Sequence, residues 1–180
     1  MKTIVIYPSK TGYTKKYAGW IAEALHADIF QNSRFPFEKL ADYDTIIYGG
    51  SLFASGILGV NRLKKALNRL QGKKVIVFGV GLAPMEAETI EKLRNHNFTA
   101  EEMEKIRFFY FRGGFNLGGL PLPDQLMMKL MKRIIERKQR KGETLNSDEA
   151  DMLEVFNKVT DFTDIHYIDE LVSFAQNNGE

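Results

Sequence analysis

Six residues near the amino end, Ser9-Lys10-Thr11-Gly12-Tyr13-Thr14, hold the densest chemistry in the chain. Three hydroxyls, a lysine and a glycine crowd one short stretch. Three kinds of chemistry compete for it. A Ser or Thr caps a helix, and one would suffice. A nucleotide P-loop needs Gly-x4-Gly-Lys-Ser/Thr, whereas this stretch has one glycine with its lysine placed before it. A hydroxyl-rich cradle wraps a phosphate dianion at a helix N-terminus, with Gly12 allowing close approach.

The elements that must position such a cradle are legible around it. Lys2–Tyr7, Asp44–Gly50, Lys73–Val80 and Ile106–Gly114 are short apolar, β-branched or aromatic runs that read as strands. Ala27–Phe30 is a weaker, edge-like strand. Near-continuous apolar strands are the mark of a parallel sheet covered on both faces. Helical periodicity predicts helices over Thr14–Leu25, Ile57–Leu70, Glu86–Asn95 with Ala100–Lys105, and Tyr167–Gln176. Strict alternation of strand and helix means βαβ units. From Phe115 to Asp164 the alternation breaks. A Gly/Pro-rich turn there opens a long helical stretch, read as an insertion of about 115–164 within one domain of 1–180.

Ligands of an open parallel sheet bind beyond the carboxyl ends of its strands. The loops to examine are therefore Pro8–Tyr13, Ser51–Gly56, Gly79–Met85 and Gly113–Leu120. A receiver domain would need acidic residues where the chain has Tyr7-Pro8-Ser9 and Gly49-Gly50-Ser51. A dinucleotide fingerprint fails at Gly79-Val80-Gly81, because Pro84 stands where the third glycine belongs.

Composition narrows the field. The chain has 180 residues and 44% hydrophobic content, enough for a sizeable core. It has no cysteine, which excludes disulfides, thiolate catalysis and cysteine-ligated metals. His26, His96 and His166 show no metal-ligand spacing, no Ser-His-Asp set is recognisable, and no catalytic residue is assigned. The start enters a strand at once, its apolar run is too short for a signal peptide, and no segment approaches ~20 apolar residues, so a cytoplasmic place is expected. Net charge is +2, yet 124–141 carries seven basic and two acidic residues, +5, leaving −3 for the rest. Leu126, Met127, Leu130, Met131, Ile134 and Ile135 form an apolar stripe on the helix predicted there. Such a helix suits an anionic membrane surface or an acidic partner. It equally suits a packed helix with a solvated basic face. No aromatic-interleaved basic strand points to nucleic acid.

Ser9, Thr11, Gly12 and Thr14 resemble the flavodoxin phosphate loop, Ser/Thr-x-Thr-Gly-x-Thr directly after the first strand. Tyr13 stands where many flavodoxins have Asn. The resemblance implies a flavodoxin-like α/β fold, a doubly wound five-stranded parallel sheet with a helical insertion near the last strand. It implies FMN, with its ribityl phosphate on Ser9, Lys10, Thr11, Gly12, Tyr13 and Thr14. Its isoalloxazine would then lie against Ser51, Leu52, Phe53, Ala54, Ser55 and Gly56 and against Gly81, Leu82, Ala83 and Met85. Phe53 is the lone aromatic of its loop and otherwise reads as ordinary packing. The 80–85 loop has no aromatic where flavodoxins usually place a Tyr. One ring face would then be open to a substrate or quinone. Trp20, inside the first helix, reads as core.

The stretch GLPLPDQLMMKLMKRIIERKQRKGET, between FRGG and IDELVSFA, is similar to the corresponding region of the menaquinone-dependent protoporphyrinogen oxidase family. This resemblance implies an FMN-dependent oxidoreductase that passes electrons to a membrane quinone, with a porphyrinogen substrate and a position peripheral to the inner face of the membrane. The alternatives are a soluble flavodoxin acting as an electron carrier and a flavodoxin-fold interaction scaffold without redox work.

Overall fold

The structure is a computed structural model that describes residues 1–32, 35–53, 55–145, 147–156 and 159–177. Strands form where the sequence stacks β-branched and aromatic residues. They are β1 (Thr3–Tyr7), β2 (Asp28–Gln31), β3 (Thr45–Phe53), a two-residue β4 (Gly56–Ile57), β5 (Lys74–Gly81) and β6 (Arg107–Arg112). Five run parallel in the order β2-β1-β3-β5-β6, and β4 folds back antiparallel on β3. The register sets Val5 beside Ile47, Ile47 beside Ile76, and Phe78 beside Phe109.

Side chains alternate across the sheet, so each central strand feeds two cores. Ile4, Ile6, Ile46, Tyr48, Val75, Val77 and Tyr110 lie on one face, under Leu40, Leu63 and Leu67. Val5, Ile47, Ile76, Phe78 and Phe111 lie on the other. That second layer is roofed by α1 (Tyr13–Leu25) and α7 (Asp169–Gln176) through Tyr17, Ile21, Leu171 and Ala175. Each fully buried side chain of this size contributes roughly 1.5–3 kcal/mol.

The helix predicted over Ile57–Leu70 is broken. The chain runs from β4 into α2 (Val60–Lys64) and then a 3-10 turn at Leu67–Arg69. Two contacts divert its start. Leu58 N donates to Ser51 O at 2.9 Å, and the Tyr48 hydroxyl donates to Leu58 O at 3.0 Å. Gly59 then turns at φ 73, where a Cβ would stand 2.6 Å from the Tyr48 hydroxyl. Val60, Leu63, Leu67 and Leu70 are still buried. The periodicity marked the buried face correctly but not the hydrogen bonding. Further on, α3 (Ala87–Asn97) takes in His96, and α4 (Ala100–Met103) begins on a Thr99/Glu102 capping box.

Contacts divide the chain into two compact units, 1–113 with 163–180, and 114–162. The second unit takes in most of the stretch where the alternation breaks. It contains β7 (Gly114–Phe115) paired with β8 (Thr160–Asp161), and α5 (Leu122–Arg140) against α6 (Ser147–Phe156). Its core is Met128, Ile135 and Phe156, ringed by Phe115, Leu117, Met131, Met152 and Leu153.

Candidate functional site

The chain leaves β1 for β2 on one side and returns to β3 on the other, so the strand order reverses between β1 and β3. A crevice at the carboxyl ends of strands forms at such a reversal. Three segments bound it: residues 8–13 after β1, the β3–β4 hairpin, and residues 82–86 after β5.

The first segment is a turn that ends in a helix with no side-chain cap. Ser9 Oγ accepts from Gly12 N at 3.0 Å and closes the turn. Gly12 is the N-cap, at φ 94, and the helical ladder begins with Lys16 N donating to Gly12 O at 2.9 Å. Capping by a hydroxyl therefore does not explain these residues. The first-turn N–H groups have no acceptor within the helix, and its first turn carries no acidic residue. Thr14 is buried at 1% exposure, Thr11 is half-buried and Lys10 is exposed. A Cβ at Gly12 would meet nothing within 4 Å, so the space over the turn is open. Hydroxyls, first-turn amides, a lysine and open space fit a phosphate.

The second segment is mostly strand. Ser51, Leu52 and Phe53, expected in a loop, belong to β3, and Gly56 belongs to β4, because Leu52 pairs with Ile57 and Phe53 with Gly56. Ala54 lies outside the described residues. Ser55 turns at φ 66. Phe53 is 52% exposed, and Lys10 Nζ lies 5.8 Å from its ring centroid. Lys10 thus joins the first two segments through a cation–π contact. Buried Asn97, from the end of α3, accepts from Ile57 N and donates to Ser55 O, both at 2.7 Å.

The third segment is tied to β6. The Tyr110 hydroxyl donates to Ala83 O at 2.7 Å, Arg112 Nε to Leu82 O at 3.2 Å, and Gly113 N to Gly81 O at 2.6 Å. Burial pushes the Tyr110 hydroxyl well above its ordinary pKa, against the opposing charge of Arg112, so it stays a donor. A Cβ at Gly81 would lie 2.8 Å from Leu52 Cδ1 and 3.0 Å from the Tyr110 hydroxyl. Gly81, the last residue of β5, is therefore a close-approach glycine. Met85 stands exposed beyond it. Asn97, Tyr110 and Arg112 escaped the sequence reading. Each lies far along the chain from the loop it holds, and no local pattern marks it. Trp20 packs edge-on to Tyr17 at 5.4 Å, in the α1 layer.

In the second unit, the single stripe read on the basic helix separates into two faces. Met128 and Ile135 are buried and Met131 packs beside them. Leu122, Leu126, Leu130 and Ile134, four residues apart, are 80, 71, 56 and 52% exposed. A stripe built from adjacent pairs such as Met127/Leu126 spans too wide an arc for one partner helix to cover. Lys138 Nζ bonds Glu149 Oε1 at 2.6 Å across α5 and α6. Arg133, Glu136, Arg137, Arg140 and Lys141 line a hollow of ≈ 590 Å³.

Among the described residues no helix is long and apolar enough to cross a membrane, and no group of three His, Asp or Glu could hold a metal ion. The profile of the Flavodoxin domain family matches residues 4–142. No curated protein matches the sequence. Among solved structures, a flavodoxin from the domain Archaea is 21% identical, with 61% of this chain and 85% of that one covered and a TM-score of 0.41. The oxidised flavodoxin 2 of Bacillus cereus is 21% identical over 61% and 84%, with a TM-score of 0.42. The two-electron reduced flavodoxin of Megasphaera elsdenii is 17% identical over 60% and 84%, with a TM-score of 0.45.

Proposed function

The chain belongs to the Flavodoxin domain family and FMN is its cofactor; from that premise we propose that it is an oxidoreductase of the protoporphyrinogen oxidase type, passing electrons to a quinone. FMN, when bound, supplies the electron transfer, and the protein supplies position and electrostatics. Ser9–Thr14 would hold the phosphate. Phe53 on one side and residues 81–85 on the other would flank the ring. With Phe53 more than half exposed and no aromatic on 82–85, a second flat molecule has room to stack.

The observation that carries this reading over a soluble carrier is the outward face of α5. Leu122, Leu126, Leu130 and Ile134 lie on it with Lys129, Arg133, Arg137 and Arg140. Among the described residues, Arg133 and Arg137 have no carboxylate partner within 4 Å. A carrier that diffuses in water gains nothing from four exposed aliphatic side chains. An anionic membrane surface, where quinones reside, takes both kinds of residue. A porphyrinogen carries carboxylates, which also suit the arginines.

The test is anaerobic oxidation of protoporphyrinogen by the FMN-loaded protein with a soluble menaquinone analogue, read as porphyrin fluorescence. Turnover supports the oxidase. Flavin that binds and reduces but oxidises no porphyrinogen returns the reading to an electron carrier, and protein that binds no flavin leaves only an interaction scaffold.

A further inference from the structure

We infer that Asn97 is a positioning residue for the flavin ring, its buried carboxamide holding the β3–β4 hairpin, and with it Phe53, from α3. The inference rests on the reading that this hairpin flanks FMN.

The hairpin projects past the sheet. β5 pairs with β3 only as far as Ser51, and β1 only as far as Tyr48. Among the described residues, Leu52 and Phe53 therefore have no strand partner except two-residue β4. A pairing that short does not hold itself in water. The turn is also strained, because Ser55 sits at φ 66, a conformation side chains other than glycine rarely adopt. Something outside the hairpin must hold it.

Asn97 does so with three bonds. Its Oδ1 accepts from Ile57 N at 2.7 Å, and its Nδ2 donates to Ser55 O at 2.7 Å and to Leu93 O at 2.8 Å. The carboxamide thus supplies β4 with the acceptor and donor that a neighbouring strand would give. It is only 7% exposed, so these bonds compete little with water. Its own position is secured in turn. Lys64 Nζ donates to Asn97 O at 2.7 Å and pairs with Glu102 at 2.9 Å. From the other side, Ile57 packs on Gly50, where any Cβ would lie 2.5 Å from Ile57 Cγ2. The hairpin is held between Gly50 and Asn97, and its outermost described aromatic is Phe53. Loss of the Asn97 bonds frees the residue that meets the ring.

The experiment measures FMN and riboflavin dissociation constants by flavin fluorescence for wild type, Asn97→Ala, Asn97→Asp and Leu70→Ala. Leu70 is a buried core residue outside the three segments. Asn97→Ala should raise both constants by the same factor, about tenfold. Leu70→Ala should lower stability and leave both constants unchanged. Asn97→Asp keeps an acceptor for Ile57 N but turns a carboxylate oxygen on the carbonyls of Ser55 and Leu93. Its riboflavin affinity should be poor near pH 8 and recover toward pH 5, as protonation restores a donor. Riboflavin has no phosphate to titrate, so the wild type should stay flat. Wild-type affinity in Asn97→Ala, equal affinity losses in Asn97→Ala and Leu70→Ala, or a flat profile for Asn97→Asp overturns the role of Asn97 alone. Failure of the wild type to bind either flavin overturns the cofactor reading, and this inference with it.

Discussion

The two units bury their apolar side chains in opposite ways. In the first, the sheet is covered on both faces, and glycines are spent where rings must enter. A Cβ at Gly49 would lie 2.0 Å from Phe78 Cζ. In the second, only three hydrophobic side chains are buried among the described residues, and the longest helix turns its leucines outward. The first unit spends its apolar residues on its own stability. The second retains a row of them at the surface, where they are available to something else. The first unit thus has a core that resists substitution, and the second a face that tolerates it.

The largest loss of stability should come from Phe78 in the first unit. It is fully buried between Phe111 and the Gly49 backbone. Phe78→Ala should cost about 3–5 kcal/mol, measured by urea unfolding with Trp20, the single tryptophan, as probe. A loss below about 1 kcal/mol would mean the layer collapses around the gap and is less rigid than its packing implies.

Next in size is the cradle. Thr11→Ala with Thr14→Ala should weaken FMN at least tenfold, because each hydrogen bond to a charged phosphate is worth about 1.5–3 kcal/mol. Riboflavin should hardly change. Phe53→Ala should do the reverse and weaken both ligands alike. Equal losses for both ligands in both variants would show that phosphate and ring are not divided between these segments.

Ile135 tests the second unit's core. Ile135→Ala should cost about 2 kcal/mol, at the low end of its class, since a thin core has neighbours free to relax. Loss of helical circular dichroism in urea reads it.

How far these contrasts were legible in sequence depends on the range of the interactions. The strands of the parallel sheet were readable because Ile4–Tyr7, Ile46–Tyr48 and Val75–Val80 state their burial locally. The turn at Ser9–Thr14 was readable for the same reason. The break at Gly59 was not, because the Tyr48 hydroxyl that diverts Leu58 comes from a neighbouring strand. Asn97 was invisible because a lone Asn at a helix end reads as a stop signal, while its partners are 40 residues away or more for the hairpin. The two faces of α5 were merged because periodicity measures the width of an apolar arc and not what covers it.

A smaller effect should appear at high pH. Burial, and then the 2.8 Å hydrogen bond to the Asp28 carboxylate, push the Tyr43 hydroxyl up to about 12. Folding favours its neutral form, so this contribution is complete below the ordinary tyrosine value of 10.0 and is lost as pH rises through 12. Tyr43→Phe should cost about 1 kcal/mol at neutral pH. Between pH 10 and 12 it should lose stability less steeply than wild type, and parallel curves would remove Tyr43 from the alkaline transition.

The smallest effect on stability belongs to the exposed leucines of the second unit. Leu126→Ser with Leu130→Ser changes two side chains that are 71 and 56% exposed. Surface substitutions of this kind fall within about 0.5 kcal/mol. Binding to vesicles rich in anionic lipid should nevertheless be lost, because the leucines supply the buried apolar area. Arg133→Glu with Arg137→Glu should weaken vesicle binding through charge, by about 1 kcal/mol or more for each basic residue replaced. For wild type, vesicle binding should fall as salt shortens the screening length to about 8 Å at physiological strength. In both variants the bound flavin's spectrum should be unaltered. If the double serine variant is destabilised by more than about 1 kcal/mol, the leucines are packed in solution and the outward face is part of a core. If it is as stable as wild type and wild type ignores anionic vesicles at low salt, the face serves no membrane, and the soluble carrier becomes the better account of the protein.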